Sequence, residues 1–234
     1  MSNTALYKKQ AAEKAVDYIT DGMVVGLGTG TTAQYALIKI SAILKSGKLK
    51  SIVGIPSSIN AAHLAQDLGI PLSSLDHHPE LDIVIDGADE VDAQLNLIKG
   101  GGGALLREKI LAHISKQVII VVDESKLSEK LGTKHSVPVE VLPFAWRPVS
   151  NYITSLGARA ILRTQKDGST YKTDQDNLIL DCNFGQLDNP EEIAGKLKSF
   201  PGIIEHGLFL GLTTEVIVAG PQGIQHLRKN PTAS

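Results

Sequence analysis

Lys99 is followed by four consecutive glycines, Gly100 to Gly103, and then by Ala104-Leu105-Leu106-Arg107-Glu108-Lys109-Ile110, a run of strong helix formers that carries an acid. Glycine loses more backbone freedom on folding than any other residue. A run of four therefore marks a place where the chain turns without room for a Cβ, or comes very close to a ligand. Such a turn sets Lys99 before a helix N-terminus and Glu108 within its early turns, and helix N-terminal amides favour negative charge. One cation, several backbone donors and one carboxylate base are then available to a single anionic carbon substrate. The plainer alternative is a tight strand-to-helix connection with a surface ion pair, and two further clusters weigh against it.

The first of these is Gly26-Leu27-Gly28-Thr29-Gly30-Thr31-Thr32. Its glycine spacing is one position short of the dinucleotide pattern G-x-G-x-x-G, and no lysine follows as in a Walker loop. What remains is a glycine-rich turn with three hydroxyls, suited to a phosphate monoester through backbone amides and the Thr29, Thr31 and Thr32 side chains. Simple N-capping needs only one threonine. The second is Asp86-Gly87-Ala88-Asp89-Glu90-Val91-Asp92, directly after the apolar run Leu81 to Ile85. Its spacing is not that of an EF-hand loop. It can bind sugar hydroxyls, with one carboxylate moving protons, or it can be a solvated acidic turn.

Elsewhere, Lys126 and Lys8 could each reach a phosphate, although surface lysines are common. The seven histidines show no metal-ligand spacing; His77 and His78 read as loop residues, and His206 has no assigned role. Met23 and Trp146 read as packing residues.

Short apolar strands must position these clusters. Met23–Leu27, Ser51–Ile55, Leu81–Ile85 and Val118–Val122 alternate with helices predicted over Leu6–Thr20, Ala33–Leu44, Ile59–Leu68 and Leu105–Ile114. That alternation predicts a parallel sheet covered on both faces, with ligands beyond the carboxyl ends of the strands. After Leu131 the pattern changes. Strand-like pieces at Val137–Val141, Ala158–Arg163, Tyr171–Thr173 and Asn177–Cys182 mix with helices at Val149–Leu156 and Asn189–Lys198. This predicts a small α+β unit, after which Ile203–Gly207 leads to a strand at Thr214–Ala219 that rejoins the main sheet. The tail from Arg228 to Ser234 reads as polar and frayed.

Composition sets the bounds. The 234 residues suffice for one large domain or two small ones. A 42% hydrophobic and 21% charged content is that of an ordinary globular protein. A net charge of −2 gives no footprint for nucleic acid or an anionic membrane. A single cysteine, Cys182, excludes an internal disulfide framework. Met1 to Gln10 lacks the apolar core of a secretory signal, and runs such as Val118–Val122 are too short to span a bilayer. The expectation is a soluble cytoplasmic protein.

In order, Gly28–Thr32, Asp86–Asp92 and Lys99–Ile110 resemble the motifs of the type A ribose-5-phosphate isomerase family. The similarity continues through Asp123-Glu124-Ser125-Lys126, Lys130-Leu131-Gly132, Val137-Pro138-Val139-Glu140-Val141 and Pro201–Phe209, and so covers nearly the whole chain. One departure is threonine at position 31 where serine is more usual; either hydroxyl can donate to phosphate. Residues 150–189 match only in general pattern.

The resemblance implies an α/β fold: a Rossmann-like parallel sheet domain (1–130 with 207–234) and a smaller α+β, ferredoxin-like lid (131–206). It implies interconversion of D-ribose 5-phosphate and D-ribulose 5-phosphate through a cis-enediol, without metal or organic cofactor, by a homodimer or tetramer. Carried over residue by residue, Glu108 is the base, Asp86 assists ring opening, and Asp89 holds hydroxyls or Lys99 in register. Lys99 and the amides of Gly100, Gly101 and Gly102 face the developing oxyanion. Thr29, Gly30, Thr31, Thr32, Asp86, Gly87, Ala88, Asp89 and Lys126, with Lys8, line the substrate site. An amino-sugar-phosphate deaminase would need a histidine-centred apparatus that these clusters lack. A sugar-phosphate sensor would need neither Glu108 nor Lys99.

Overall fold

The computed structural model describes residues 2–228. Helix α1 (Asn3–Ala15) starts where the Ser2 side chain accepts from the Ala5 amide, and it buries Ala11, Ala12 and Ala15. A 3₁₀ turn leads to Gly22, whose φ of +87° ends the segment. Then come β1 (Val24–Leu27), α2 (Ala33–Lys45), β2 (Val53–Pro56), α3 (Ile59–Asp67) and β3 (Leu81–Asp86). Two short strands, β4 (Glu90–Val91) and β5 (Leu97–Ile98), precede α4 (Leu105–His113) and β6 (Ser115–Asp123). The chain continues through β7 (Val137–Val141), α5 (Trp146–Ser155), β8 (Arg159–Leu162), β9 (Leu178–Asn183), α6 (Pro190–Ser199) and β10 (Ile203–His206). It ends with β11 (Leu208–Phe209), β12 (Glu215–Gly220) and β13 (Gly223–Arg228).

Contacts divide the chain into two units. The first holds the chain through Ala88, Arg107–Lys126 and the chain from Leu212. Its six-stranded sheet runs β13-β12-β6-β3-β1-β2, and only β13 is antiparallel to its neighbour. Numbered in sequence, the five parallel strands lie in the order 2-1-3-4-5, a doubly wound arrangement with its switch point between β1 and β3. One face of the sheet offers Val25, Leu27, Ile83, Ile85, Ile119, Val121, Ile217 and Ala219 to a core completed by Ala11, Ala15, Leu37 and Ile40. The alternating residues Val84, Ile120, Val122, Val216 and Val218 are buried too, which is why these strands read as unbroken apolar runs.

The second unit holds Asp89–Leu106 and Leu127–Gly211. Its β7-α5-β8-β9-α6-β10 segment forms a four-stranded antiparallel sheet in the order β10-β7-β9-β8, the 4-1-3-2 arrangement of a ferredoxin-like unit. Val139, Val141, Val149, Ile153, Leu180 and Leu197 fill its core. A separate three-stranded sheet, β11-β5-β4, pairs Leu208 with Ile98 and Val91 with Leu97. That pairing draws the segment from Asp89 into the second unit, whereas the sequence expectation keeps 1–130 together.

Two local expectations are corrected. Tyr171–Thr173 is not a strand: the Thr173 hydroxyl accepts from the Gln175 and Asn177 amides, and Asp176 sits at φ +58°, which makes this a turn. Arg228 is not frayed. It closes β13, and its guanidinium donates to Glu215, which also accepts from the Tyr18 hydroxyl at 2.8 Å. Residues 229–234 lie outside the described part of the chain. Among the described residues no helix is long and apolar enough to cross a membrane.

Candidate active site

The switch point of the first unit is built from the loop after β1 and the end of β3. The Gly28 amide donates to the Ile85 carbonyl at 3.0 Å, and the Thr29 amide donates to Asp86 Oδ1 at 3.1 Å. Asp86 is only 3% exposed, and its Oδ1 also accepts from the Gly87 amide at 2.8 Å. This close approach explains Gly28: a Cβ there would sit 2.5 Å from Asp86 Cγ and 2.5 Å from the Ile85 carbonyl oxygen. Gly30 takes φ +100°, a conformation that L side chains rarely adopt. Its side of the loop is exposed, as is Thr31, so the turn presents itself to solvent at the start of α2.

The three threonines differ. The Thr29 hydroxyl donates to Ser58 Oγ at 2.8 Å and lies 2.7 Å from Ser57 Oγ, so its work is internal. Thr31 Oγ1 accepts from Lys8 Nζ at 3.3 Å, which brings α1 to the loop as well. Thr32 occupies the N-cap of α2 without a side-chain capping bond. The capping alternative therefore fails for the residue best placed to do it. Gly87 lies beside Thr32, with room for a Cβ at 3.8 Å from it.

Glu108 belongs to the same unit and settles the question its sequence left open. It stands in the first turn of α4 yet is only 5% exposed, so it is no solvated face residue. The helix N-terminus favours its negative charge, and a buried carboxylate at such a position is a functional candidate on physical grounds. Asp123 ends β6 and is buried; its Oδ1 accepts from the Ser125 amide at 3.1 Å, while Oδ2 has no hydrogen-bond partner among the described residues. Lys126 follows it in a 3₁₀ turn, half-buried.

In the second unit, the members of the acidic cluster hold different parts of the backbone. Glu90, fully buried, accepts the amides of Gly132, Thr133, Lys134 and His135 at 3.1–3.2 Å, which fixes that loop. Asp92 accepts from the amides of Gln94 and Asn96, and burial pushes its carboxyl above the usual range. Asp89 instead turns to the glycine run, where its Oδ2 accepts from the Gly101 amide at 2.7 Å. Ala88, which ends the first segment of the first unit, and Asp89 are half-buried.

Lys99, 4% exposed, leaves β5 with its ammonium 5.5 Å from the centroid of the Phe209 ring, a cation–π distance. Gly100 at φ +102° and Gly103 at φ +82° turn the chain, and the Gly103 amide closes the turn on the Gly100 carbonyl at 3.0 Å. The carbonyls are held from outside. Arg163 Nη1 donates to Gly100 O at 2.8 Å and Gly101 O at 3.2 Å, and the Tyr171 hydroxyl donates to Gly102 O at 3.1 Å. Sequence reasoning did not find Arg163, Tyr171, Ser57, Ser58 or Asp123 as site residues; only Asp123, at a strand's carboxyl end, carried a signal. His206 is structural, its Nδ1 accepting from the Leu208 amide at 3.3 Å.

A family model described as ribose 5-phosphate isomerase A (phosphoriboisomerase A) matches residues 53–223. The chain is 53% identical over 228 residues to ribose-5-phosphate isomerase A of Desulfatibacillum aliphaticivorans, covering 97% of this chain and 99% of that one. It is 50% identical over 226 residues to the Chloroflexus aurantiacus protein of the same name, covering 97% and 95%. Among solved structures it is similar to a D-ribose-5-phosphate isomerase in complex with phospho-erythronic acid, at TM-score 0.95 and 40% identity over 97% of this chain and all of that one. The Plasmodium falciparum ribose 5-phosphate isomerase gives TM-score 0.93 and 40% identity, covering 97% and 99%.

Proposed function

The chain belongs to the ribose 5-phosphate isomerase A family and is an isomerase that interconverts ribose 5-phosphate and ribulose 5-phosphate; from this premise we propose how its residues divide the work. Aldose–ketose isomerisation moves one proton from C2 of the open-chain aldose to C1, with a second proton passing between the two oxygens. Glu108 takes the C2 proton, the C–H pair becomes the C1–C2 double bond of a cis-enediolate, and the same carboxyl returns the proton to C1. Lys99 and the amide side of the Gly100–Gly102 turn stabilise the negative oxygen, where fixed donors act without reorganisation.

Asp86 moves the proton that opens the furanose, held for that task by the Thr29 and Gly87 amides. Asp89 holds the Gly101 peptide. The Gly30–Thr32 loop at the α2 N-terminus, with Lys8, takes the phosphate, as helix N-termini do. Thr29 serves by bracing this loop on Ser57 and Ser58, and Lys126 reaches phosphate or a sugar hydroxyl. By the same reading phospho-erythronic acid binds here, because its carboxylate resembles the enediolate oxygens. We place the enzyme in the cytoplasm, in the non-oxidative pentose phosphate pathway, as a homodimer.

The burial of Glu108 carries the base assignment. A solvated helix carboxylate would have no reason to be 5% exposed in the first turn. The test is Glu108→Gln, assayed with ribose 5-phosphate in heavy water by NMR. Turnover and solvent deuterium incorporation should fall by about 10²–10⁴-fold, with KM within a few-fold. Near-normal exchange in the variant would remove Glu108 from the mechanism.

A further inference from the structure

The glycine turn of the second unit is held mainly by its carbonyls. Three consecutive carbonyls, those of Gly100, Gly101 and Gly102, accept from Arg163 or Tyr171. In a trans peptide the carbonyl and the following N–H point in opposite directions. Holding these carbonyls therefore turns the N–H groups of Gly101 and Gly102 the other way, while the Gly103 N–H closes the turn on the Gly100 carbonyl. Asp89 marks that other side, since its carboxylate accepts from the Gly101 amide.

Arg163 is itself set rigidly. It follows β8, its side chain is 14% exposed, and Asp181 of β9 takes Nε at 2.9 Å and Nη2 in a fork. A planar guanidinium can hold a carboxylate with two nitrogens and still present the third to a carbonyl pair, which an ammonium cannot. Tyr171 is tied to the same framework, because its amide donates to the Arg163 carbonyl at 3.0 Å. A Cβ on Gly103 would collide with the Tyr171 hydroxyl, so this contact also demands a glycine. Four glycines in a row have almost no conformational preference of their own. The turn keeps one shape because the β8–β9 region imposes it.

We propose that Arg163, braced by Asp181, and Tyr171 are positioning residues of the isomerase, which fix the peptide planes of Gly100–Gly102 so that the amide side of the turn, its Gly101 peptide held by Asp89, faces the enediolate. This rests on the reading that the turn stabilises the intermediate's oxygen. Neither residue touches the substrate in this role. Their loss misaligns donors without deleting one, so the effect is smaller than the 10²–10³-fold that follows removal of an oxyanion donor.

The test compares Arg163→Lys, Tyr171→Phe and the double variant with the unaltered enzyme and with Glu108→Gln. The readouts are kcat, KM, the pH profile, inhibition by phospho-erythronic acid, and melting temperature. Arg163→Lys should lose about 10–100-fold in kcat and Tyr171→Phe about 3–10-fold. KM should stay within about three-fold, the pH limbs should not move, and inhibitor affinity should fall in step with kcat. The double variant should lose less than the product of the single losses, because both grip one turn. Wild-type kcat and inhibitor affinity in both single variants overturn the clamp, while an inactive Glu108→Gln leaves the isomerase mechanism standing. A kcat loss seen only where melting temperature also drops overturns it as well, by making Arg163 a support of the fold. An active Glu108→Gln strikes the underlying reading instead.

Discussion

The chain makes two glycine-rich turns between a strand and a helix, β1 to α2 and β5 to α4, and holds them by opposite means. At Gly28–Thr32 the backbone is pulled inward by its amides: Asp86 takes the Thr29 N–H, and the Ile85 carbonyl takes the Gly28 N–H. At Gly100–Gly103 it is held mainly by its carbonyls, through Arg163 and Tyr171. The first arrangement uses amides at the strand end, and on the proposed mechanism those at the α2 N-terminus, with the Thr32 hydroxyl, serve an anion of fixed charge. On the proposed mechanism the second turns its amide side toward a charge that exists only in the intermediate. A phosphate cradle can be built from packing alone, whereas an oxyanion site needs its dipoles aimed.

The glycines themselves offer the strongest way to break this contrast. In Gly28→Ala the new Cβ meets a backbone carbonyl and a buried carboxylate, neither of which can withdraw. We expect a stability loss of about 3 kcal/mol, the upper range of overpacking, and a protein whose activity falls with its folded fraction. In Gly101→Ala the Cβ meets Asp89 Oδ1 at 2.7 Å, the far end of a side chain that can swing. That variant should melt within a few degrees of the parent, yet lose about 10-fold or more in kcat as Asp89 leaves the Gly101 amide. Thermal melts with kinetics on both variants decide it. Equal destabilisation of the two would show that the turns are alike and that the second is no aimed device.

What the sequence revealed follows the same division. The three chemical clusters were legible because each lies at the end of a strand or the start of a helix, so local pattern places it. Their supports were not. Arg163 and Tyr171 stand 63 and 69 residues from the carbonyls they hold, and nothing local distinguishes them. The sheet β11-β5-β4 escaped notice because two-residue strands have no periodicity to read. Strand β13 escaped because an exposed edge strand carries few apolar residues. Conversely, Tyr171–Thr173 has strand-like residue types, but the Thr173 hydroxyl bonds to local amides, and side-chain competition of this kind replaces a ladder with a turn.

A finer test concerns the first turn alone. Thr32→Val removes a hydroxyl that makes no capping bond, while Thr29→Val removes one engaged with Ser57 and Ser58. Thr32→Val should leave the melting temperature unchanged and raise KM for ribose 5-phosphate by about 10-fold, the worth of one charge-assisted hydrogen bond. Thr29→Val should do the reverse, costing about 1 kcal/mol of stability with a smaller KM effect. An unchanged KM in Thr32→Val would return that residue to a purely structural role.

The smallest effect probes how firmly the second turn's support is itself anchored. Glu140, fully buried on β7, accepts from Thr173 Oγ1 and Asn177 Nδ2 at 2.9 Å each, in the same connection that carries Tyr171. Its Oε2 has no partner among the described residues. Burial raises its carboxyl above the usual range; the Asn177 and Thr173 bonds oppose this, and Asp174 and Glu205 add to it. A group whose pKa is higher folded than unfolded gives stability that is complete below about pH 4.5 and lost as pH rises through the raised value. Glu140→Gln keeps an acceptor for both donors and cannot ionise. Its melting temperature should match the parent near pH 4.5 and exceed it at pH 8 by about 2–4 °C, equivalent to about 1 kcal/mol, with kcat unchanged. If the variant instead melts lower at pH 8 and loses kcat, the ionised carboxylate is what steadies the Tyr171 connection, and the clamp extends one residue deeper than Arg163 and Asp181.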